Sequence, residues 1–491
     1  MTKRWLAVFA AGALAVAGFA PLGFYPATLL GVAVLFAFWL GAASARAAFA
    51  DGLVFGLGLF GVGVSWIYVS LHDFGGMPAW LAALATFLFC TVLALFPALA
   101  GYLAVRLGST RAARLVLVPA LWVLLEWTRG WLFTGFPWLA IGYSQVPASP
   151  LAGFAPVLGV YGVSLAAATS AALVAWALTT RVGRWRALAG AAGIALAGLA
   201  LTAQAFTRWD GSLTRVALVQ GNVPQAMKWE PGQVADTLVR YARLADATRA
   251  PLIILPETAL PVFEAQLPAA YRERLNAIGR ENGGDVLAGL PTGSAEGPYY
   301  NSVVSFGVSP TQRYHKVHLV PFGEFIPAKA VWGWVVAVLH IPLSDFSPGR
   351  PDQPPLAIGG MKVAPNICYE DAFGEEIVPR ASAANLLVNV SNDAWFGDSF
   401  ALWQHAQMSQ ARALESGRMM LRATNSGLTA IIDRRGRLVA HLPPFREGVL
   451  EGDVRGYAGV TPYARFGNAP VVAIVLAGVV AGFLRAVRWR R

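Results

Sequence analysis

Eight apolar stretches constrain this chain more than any other feature. They lie near residues 5–22, 26–43, 52–71, 79–105, 113–129, 154–178, 186–204 and 468–484. A bilayer crossing takes about 20 residues of apolar helix. Seven of the stretches crowd the first 205 of 491 residues, and one closes the chain. The predicted architecture is a multi-pass α-helical membrane protein with eight transmembrane helices. Composition agrees: 56% of residues are hydrophobic, 13% are charged, and mean hydropathy is +0.53. A soluble domain carries about 25% charge. A single soluble globule, a disordered chain and a collagen-like chain are excluded. The first stretch follows Lys3 and Arg4 as a signal peptide would, but no cleavage site follows it. It leads straight into further spans and reads as a retained helix.

The net charge of +11 would suit a nucleic-acid binder if it lay on one surface. It does not. Residues 206–455 hold 23 Lys/Arg against 24 Asp/Glu, and the remainder holds 15 against 3. The excess flanks the apolar stretches. With the N-terminus in the cytoplasm, 13 basic residues fall on that side, from Lys3 and Arg4 to Arg490 and Arg491. The short loops opposite hold Arg129. This is the positive-inside pattern, and it needs an even number of spans. It puts both termini in the cytoplasm and the long segment between spans seven and eight outside, in the periplasm of a Gram-negative inner membrane. No nucleic-acid partner is implied.

Glycines at 52, 56, 58, 61 and 63 mark the third stretch as a close-packing helix. Glu126 and Arg129, near the outer end of the fifth, are either a lipid-headgroup contact or a structural ion pair. The two cysteines, Cys90 and Cys368, cannot build a disulfide framework. No CxxC or HExxH occurs, so no metal site is expected.

Residues 212–455 read differently. Short β-rich runs (Thr214–Gln220, Leu252–Leu255, Asp285–Leu290, Ser302–Gly307, Met361–Ile367, Leu386–Ser391, Leu428–Ile432) alternate with helical patterns at Gln233–Ala247, Ala269–Glu281 and Trp403–Ser416. That alternation predicts an α/β domain with a layered sheet. The domain plan is 1–205 for seven spans, 206–460 for the α/β domain, and 461–491 for the last span and a basic tail. Residues 328–343 are apolar but too short to span. They read as an interfacial lid carrying Trp332 and Trp334, or as a core helix.

Three positions at strand ends carry potential chemistry: Glu257 in Leu-Pro-Glu, Lys316 in Tyr-His-Lys, and Cys368 in Asn-Ile-Cys-Tyr-Glu. Catalytic groups of α/β folds gather at strand ends. Only five lysines occur among 38 basic residues, so a lysine there draws notice. With Gln220-Gly-Asn, Ser391-Asn-Asp-Ala-Trp-Phe-Gly397, Gln404-His405 and Arg422-Ala-Thr-Asn425, the domain resembles the nitrilase superfamily, whose triad is Glu-Lys-Cys. The order of these pieces between seven spans and one resembles its membrane-embedded apolipoprotein N-acyltransferase family over nearly the whole chain.

The resemblance implies an αββα sandwich with Cys368 as nucleophile, Glu257 as general base and Lys316 as the triad lysine. It matches Glu324 to a second catalytic-site glutamate, Tyr369 and Glu370 to residues beside the nucleophile, and Trp229 to a substrate-linked loop tryptophan. It implies no cofactor and a monomer. The donor is a phospholipid, commonly phosphatidylethanolamine, and the acceptor is a diacylglyceryl apolipoprotein. Chemistry agrees: a cation beside a thiol lowers its pKa. Lys316 can do this and can face an oxyanion, with a backbone N–H near Tyr369. Glu257 can carry the proton. Glu370 is either a participant or a local brace. His315, His318 and His405 read as packing or hydrogen-bonding residues. The chain departs from the family pattern at Ala401-Leu402, where Gly-Pro is common, and at Met419, where proline is common. A membrane-tethered small-amide hydrolase and a non-enzymatic transport or structural protein are the rival readings.

Overall fold

The computed structural model describes residues 2–225, 231–294, 296–328, 345–358 and 360–488. Trp229, Trp332 and Trp334, and with them most of the expected lid, lie outside the described residues. The chain forms two compact units. One comprises Met1–Tyr68, Trp80–Ala205 and Phe466–Arg491, the other Val69–Ala79 and Phe206–Arg465.

The first unit is helical. It holds α1 (Thr2–Ala15), α2 (Tyr25–Leu40), α3 (Ala45–Gly63), α4 (Ala79–Leu107), α5 (Arg111–Arg129), α6 (Ala155–Thr179), α7 (Arg184–Thr202) and a C-terminal helix, Ala469–Arg488. Five of these (α3, α4, α6, α7 and the last) are long and apolar enough to cross a membrane, and α2 is apolar but shorter. A multi-pass helical architecture follows.

The third stretch needs correction. Hydropathy placed it at 52–71, whereas α3 runs from Ala45 to Gly63. Capping set the start: the Ser44 hydroxyl accepts from the Ala47 N–H at 3.2 Å. The charge this brings in is matched, because Arg4 Nε lies 3.0 Å from the buried Asp51. Beyond α3, Val69–Ala79 belongs to the other unit, where the Ser70 hydroxyl donates to the Trp395 carbonyl at 2.8 Å. The glycines of α3 do permit close approach. A Cβ at Gly58 would stand 2.3 Å from the Phe9 carbonyl, and one at Gly56 2.6 Å from the Ala94 Cβ. Glu126 and Arg129 fasten the loop after α5. Glu126 accepts from the Ile141 N–H at 2.7 Å, and Arg129 donates to the Phe136 and Trp138 carbonyls at 2.5 and 2.6 Å. These bonds favour the structural reading of the two side chains.

Among the described residues the second unit holds twelve strands: β1 (Thr207–Gln220), β2 (Leu252–Ile254), β3 (Asp285–Gly293), β4 (Tyr299–Gly307), β5 (Arg313–His315), β6 (Leu356–Ile358), β7 (Met361–Ile367), β8 (Leu386–Ser391), β9 (Met420–Thr424), β10 (Ala430–Ile432), β11 (Leu438–His441) and β12 (Gly448–Gly459). They form two six-stranded sheets, ordered β12-β1-β2-β3-β4-β5 and β11-β10-β9-β8-β7-β6. The central strands β1-β2-β3 and β7-β8-β9 are parallel.

Side chains alternate across each sheet with the strand period of two. Val216, Leu218, Ile254 and Leu287 meet Val363, Ile367, Val388 and Leu421 between the sheets. Ala217, Val219, Ile253 and Val286 turn outward under α8 (Pro231–Asp246) and α9 (Ala269–Glu281). Ala364, Leu387 and Met420 turn outward under α10 (Gly374–Ala381) and α11 (Phe400–Ser416). The result is the expected αββα sandwich, with central strands buried on both faces.

β7, β8 and α9 keep their predicted limits. β9 and β12 were not anticipated. β9 carries the fully buried Arg422, and β12 is an edge strand with glycine and charge along it. Both disguise a strand pattern.

Candidate active site

The sandwich brings three chain segments to the ends of its strands. Glu257 follows β2, Lys316 follows β5, and Cys368 follows β7 of the opposite sheet. Lys316 is 1% exposed, with Nζ 2.8 Å from Glu324 Oε2 and 3.6 Å from Glu257 Oε1. The loop from Val320 to Glu324 brings the second carboxylate in: the Val320 N–H donates to Glu324 Oε2 at 2.8 Å. Asn301, on β4, donates through Nδ2 to Glu257 Oε1 and to Glu324 Oε1, each at 2.8 Å. The Asn392 N–H donates to Glu257 Oε2 at 2.9 Å.

Burial by itself would strip the proton from Lys316. The carboxylates of Glu324 and Glu257 outweigh burial and hold its pKa above the usual lysine range, so it is an ammonium ion. Cys368 behaves the other way. Burial, then the charge of Glu257, push the thiol well above its ordinary range, and Lys316 pulls it down without prevailing. The expected downward pull of Lys316 is present, but it does not outweigh burial and Glu257. The thiol keeps its proton until a base takes it, and Glu257 is the carboxylate that acts on it most strongly.

The backbone at Cys368 is strained. Cys368 has φ +52, and Thr258 and Asp393 have φ +49 and +55. A non-glycine residue in this region costs on the order of 1–3 kcal/mol, and such residues cluster at functional sites. The Cys368 carbonyl accepts from His405 Nε2 at 3.0 Å and from Asn389 Nδ2 at 3.3 Å.

Glu370 is a brace. Its Oε1 accepts from the Val317 N–H at 2.8 Å and from the Tyr314 hydroxyl at 2.9 Å, and its Oε2 accepts from the Ile367 N–H at 2.6 Å. It thereby ties the Lys316 loop of one sheet to the Cys368 loop of the other. Burial raises its pKa against the pull of Arg380 and these N–H groups. Tyr369 stands edge-on to Phe373, with ring centroids 5.0 Å apart, and forms an aromatic wall with His318. The histidines are engaged as packing and hydrogen-bonding groups. His315 bonds Ser302 at 2.8 Å, His318 stacks on Phe373 and bonds Glu376 at 2.9 Å, and His405 meets the Cys368 carbonyl. The departures from the family pattern are local. Ala401 and Leu402 are buried in the first turn of α11, whose cap is Ser399, and the Met419 sulfur accepts from the Arg455 N–H at 3.4 Å.

Sequence reasoning missed Asn301, Asn389 and Arg422 as site residues. The available signal was a polar side chain set inside an apolar strand, which marks a buried group that must find partners. As it stands, the site offers a thiol, an adjacent carboxylate able to move its proton, and a buried cation able to face an oxyanion.

Both units of the chain are similar to known proteins. Residues 11–173 match the apolipoprotein N-acyltransferase N-terminal domain, and residues 215–463 match the carbon-nitrogen hydrolase family. An apolipoprotein N-acyltransferase of Nitrosomonas europaea is 50% identical over 99% of this chain and 98% of its own length. One of Methylococcus capsulatus is 46% identical over 97% and 95%. A solved amidase of the nitrilase superfamily from Nesterenkonia is 22% identical, covers 52% of this chain and 96% of its own, and has a TM-score of 0.38.

Proposed function

The chain belongs to the apolipoprotein N-acyltransferase family, and from that premise we propose how it works. It is an acyltransferase of lipoprotein maturation. It takes an acyl chain from the sn-1 position of a phospholipid, with phosphatidylethanolamine the expected donor. It passes that chain through a thioester on Cys368 to the free amine of the S-diacylglyceryl cysteine that begins an apolipoprotein. The observation that carries this reading is the buried Glu257–Lys316–Glu324 cluster acting on Cys368, in a chain matched end to end by its relatives.

In the first half-reaction Glu257 accepts the thiol proton as sulfur attacks the ester carbonyl. The oxyanion faces the Lys316 ammonium and the Tyr369 N–H. The C–O bond breaks, Glu257 returns the proton to the departing glycerol oxygen, and lysophospholipid leaves. In the second, the acceptor amine attacks the thioester and Glu257 takes its proton. The sulfur departs and recovers that proton, leaving an amide. Glu324 and Asn301 hold Lys316 and Glu257 in register, and Glu370 joins the two loops. The steps balance without a cofactor.

The same reading places all eight helices across the inner membrane of a Gram-negative cell, with both termini cytoplasmic and the catalytic domain in the periplasm. It divides the chain at 1–205, 206–460 and 461–491 and has it act as a monomer. Loop charge supports that orientation. A site beside the outer leaflet spares the acyl chain a passage through water, worth about 0.8 kcal/mol per CH₂. Trp229, Trp332 and Trp334 are proposed, from sequence, as lid residues that keep water from the thioester.

The test is intact-protein mass spectrometry of the detergent-purified enzyme after incubation with phosphatidylethanolamine, beside Cys368→Ala. One acyl addition is expected on the wild type only, and it should disappear when a diacylglyceryl-cysteine peptide is added. Absence of an adduct on folded protein with accessible lipid would overturn the reading in favour of a small-amide hydrolase.

A further inference from the structure

We infer that His405 and Asn389 are positioning residues that clamp the carbonyl of Cys368 and so hold the nucleophile in its left-handed conformation, with Arg422 orienting both. The inference rests on Cys368 being the nucleophile. Two donors converge on that carbonyl, His405 Nε2 at 3.0 Å and Asn389 Nδ2 at 3.3 Å. A carbonyl oxygen only accepts, so His405 carries a hydrogen on Nε2.

The back of each clamp is held by one guanidinium. His405 Nδ1 lies 2.9 Å from Asp393 Oδ1, and Asp393 Oδ2 accepts from Arg422 Nη2 at 2.7 Å. Arg422 Nη1 donates to Asn389 Oδ1 at 2.8 Å, which turns the Asn389 amide nitrogen toward the Cys368 carbonyl and toward Asn366 Oδ1, 2.6 Å away. Asn366, Asn389 and Arg422 are register partners across β7, β8 and β9, a polar row through an apolar sheet. All three are fully buried, and so is His405. Burying such a row is costly, and Asn366 Nδ2 and Arg422 Nε meet no partner among the described residues; the row ends on the nucleophile's own main chain.

The consequence is chemical. The Cys368 carbonyl and the Tyr369 N–H share one rigid peptide plane. Clamping the carbonyl on one side aims the N–H to the other, where the oxyanion forms. The clamp therefore acts on the transition state and not on lipid binding, and its loss lowers kcat and leaves KM alone.

The experiment uses the full-length enzyme in lipid-detergent micelles with His405→Gln, His405→Asn and Asn389→Ser. Glutamine places its amide nitrogen near the His405 Nε2 position and can still reach the carbonyl. Asparagine places its own near Nδ1 and reaches only Asp393. His405→Asn should lose about tenfold or more in kcat and in the rate of the first acylation, at unchanged KM for phosphatidylethanolamine. His405→Gln should recover most of that loss. Asn389→Ser should show the same kcat-only loss, and it decides alone if neither His405 variant folds. Equal Gln and Asn variants, or wild-type rates in Asn389→Ser, would overturn the clamp. Cys368→Ala tells the two readings apart: a hydroxylamine-labile acyl adduct that persists without Cys368 would remove the nucleophile itself.

Discussion

The two units of this protein distribute their side chains in opposite ways. The helical unit shows large apolar side chains outside: Trp80 is 70% exposed, Leu196 65% and Phe87 57%. Its inside combines small residues such as Ala15, Ala94, Ala98, Ala171 and Ala172 with a few aromatics, Trp39, Phe36 and Phe55 among them. The catalytic unit hides its aliphatic residues and, with them, charge: Lys316, Glu370, Asp371, Asp393, Arg412 and Arg422 are all buried. The difference follows from the solvent. Lipid tails reward no apolar burial between helices, so close backbone approach supplies the packing. Water rewards burial, and charge survives inside only where partners are supplied.

The largest effect expected from disturbing this contrast is at Glu257, the proposed base. Glu257→Gln should cut the single-turnover acylation rate about 10²- to 10⁴-fold, measured by quenched mass spectrometry. A rate near wild type would show that another group moves the proton.

Next is the buried cation. Lys316→Met leaves Glu257 and Glu324 facing each other without a counter-charge. It should cost about 3–5 kcal/mol of stability, read from thermal and denaturant unfolding of the catalytic unit within the whole protein. No loss would mean that the cluster is less desolvated than its geometry states.

Aliphatic residues should separate the units directly. Leu387→Ala, in the fully buried outer layer of β8, should cost about 2–5 kcal/mol. Leu196→Ala, on the exposed face of α7, should stay within about 0.5 kcal/mol. Equal costs would break the comparison.

Within the helical unit the same logic applies to glycine. Gly58→Ala drives a methyl group toward the Phe9 carbonyl and should cost about 1–3 kcal/mol. Gly61→Ala meets open space and should be neutral or better. Thermal stability in matched lipid distinguishes the two.

The smallest effect concerns pH. Burial alone would raise the Asp393 carboxyl, but Arg422 and His405 prevail and hold it well below the usual range. A depressed carboxyl lends its stability above its unfolded pKa and loses it as pH falls through the folded one. The gap between wild type and Asp393→Asn should therefore be flat from neutral pH down to about pH 5 and shrink below about pH 4. A gap that widens with acid would refute this assignment.

How much of this was legible in advance differs by unit. In the helical unit, length and hydropathy marked the eight long helices among the described residues, five of which are long and apolar enough to cross a membrane. The error was in the boundaries. α3 starts seven residues before its apolar run because Ser44 caps it and Arg4 neutralises Asp51. In the catalytic unit the signal of short β-rich runs exposed β7 and β8, which are buried almost throughout. It hid β9, where the buried Arg422 interrupts the pattern for the sake of Asp393 and Asn389. Glu257, Lys316 and Cys368 were readable because strand ends and flanking motifs are local. Asn301 was not, since its meaning lies in two glutamates 44 and 23 residues away in sequence.

The sequence alone determined that the chain is a membrane helix bundle bearing an α/β domain, and which thiol, base and lysine to examine. Both follow from short-range patterns of polarity and spacing. Only the tertiary structure decided how those groups are tuned. The protonated state of the Cys368 thiol, the brace made by Glu370 and the polar row behind Cys368 depend on burial and on partners from separate strands. Burial and long-range pairing are properties of the folded chain, and no local window of residues contains them.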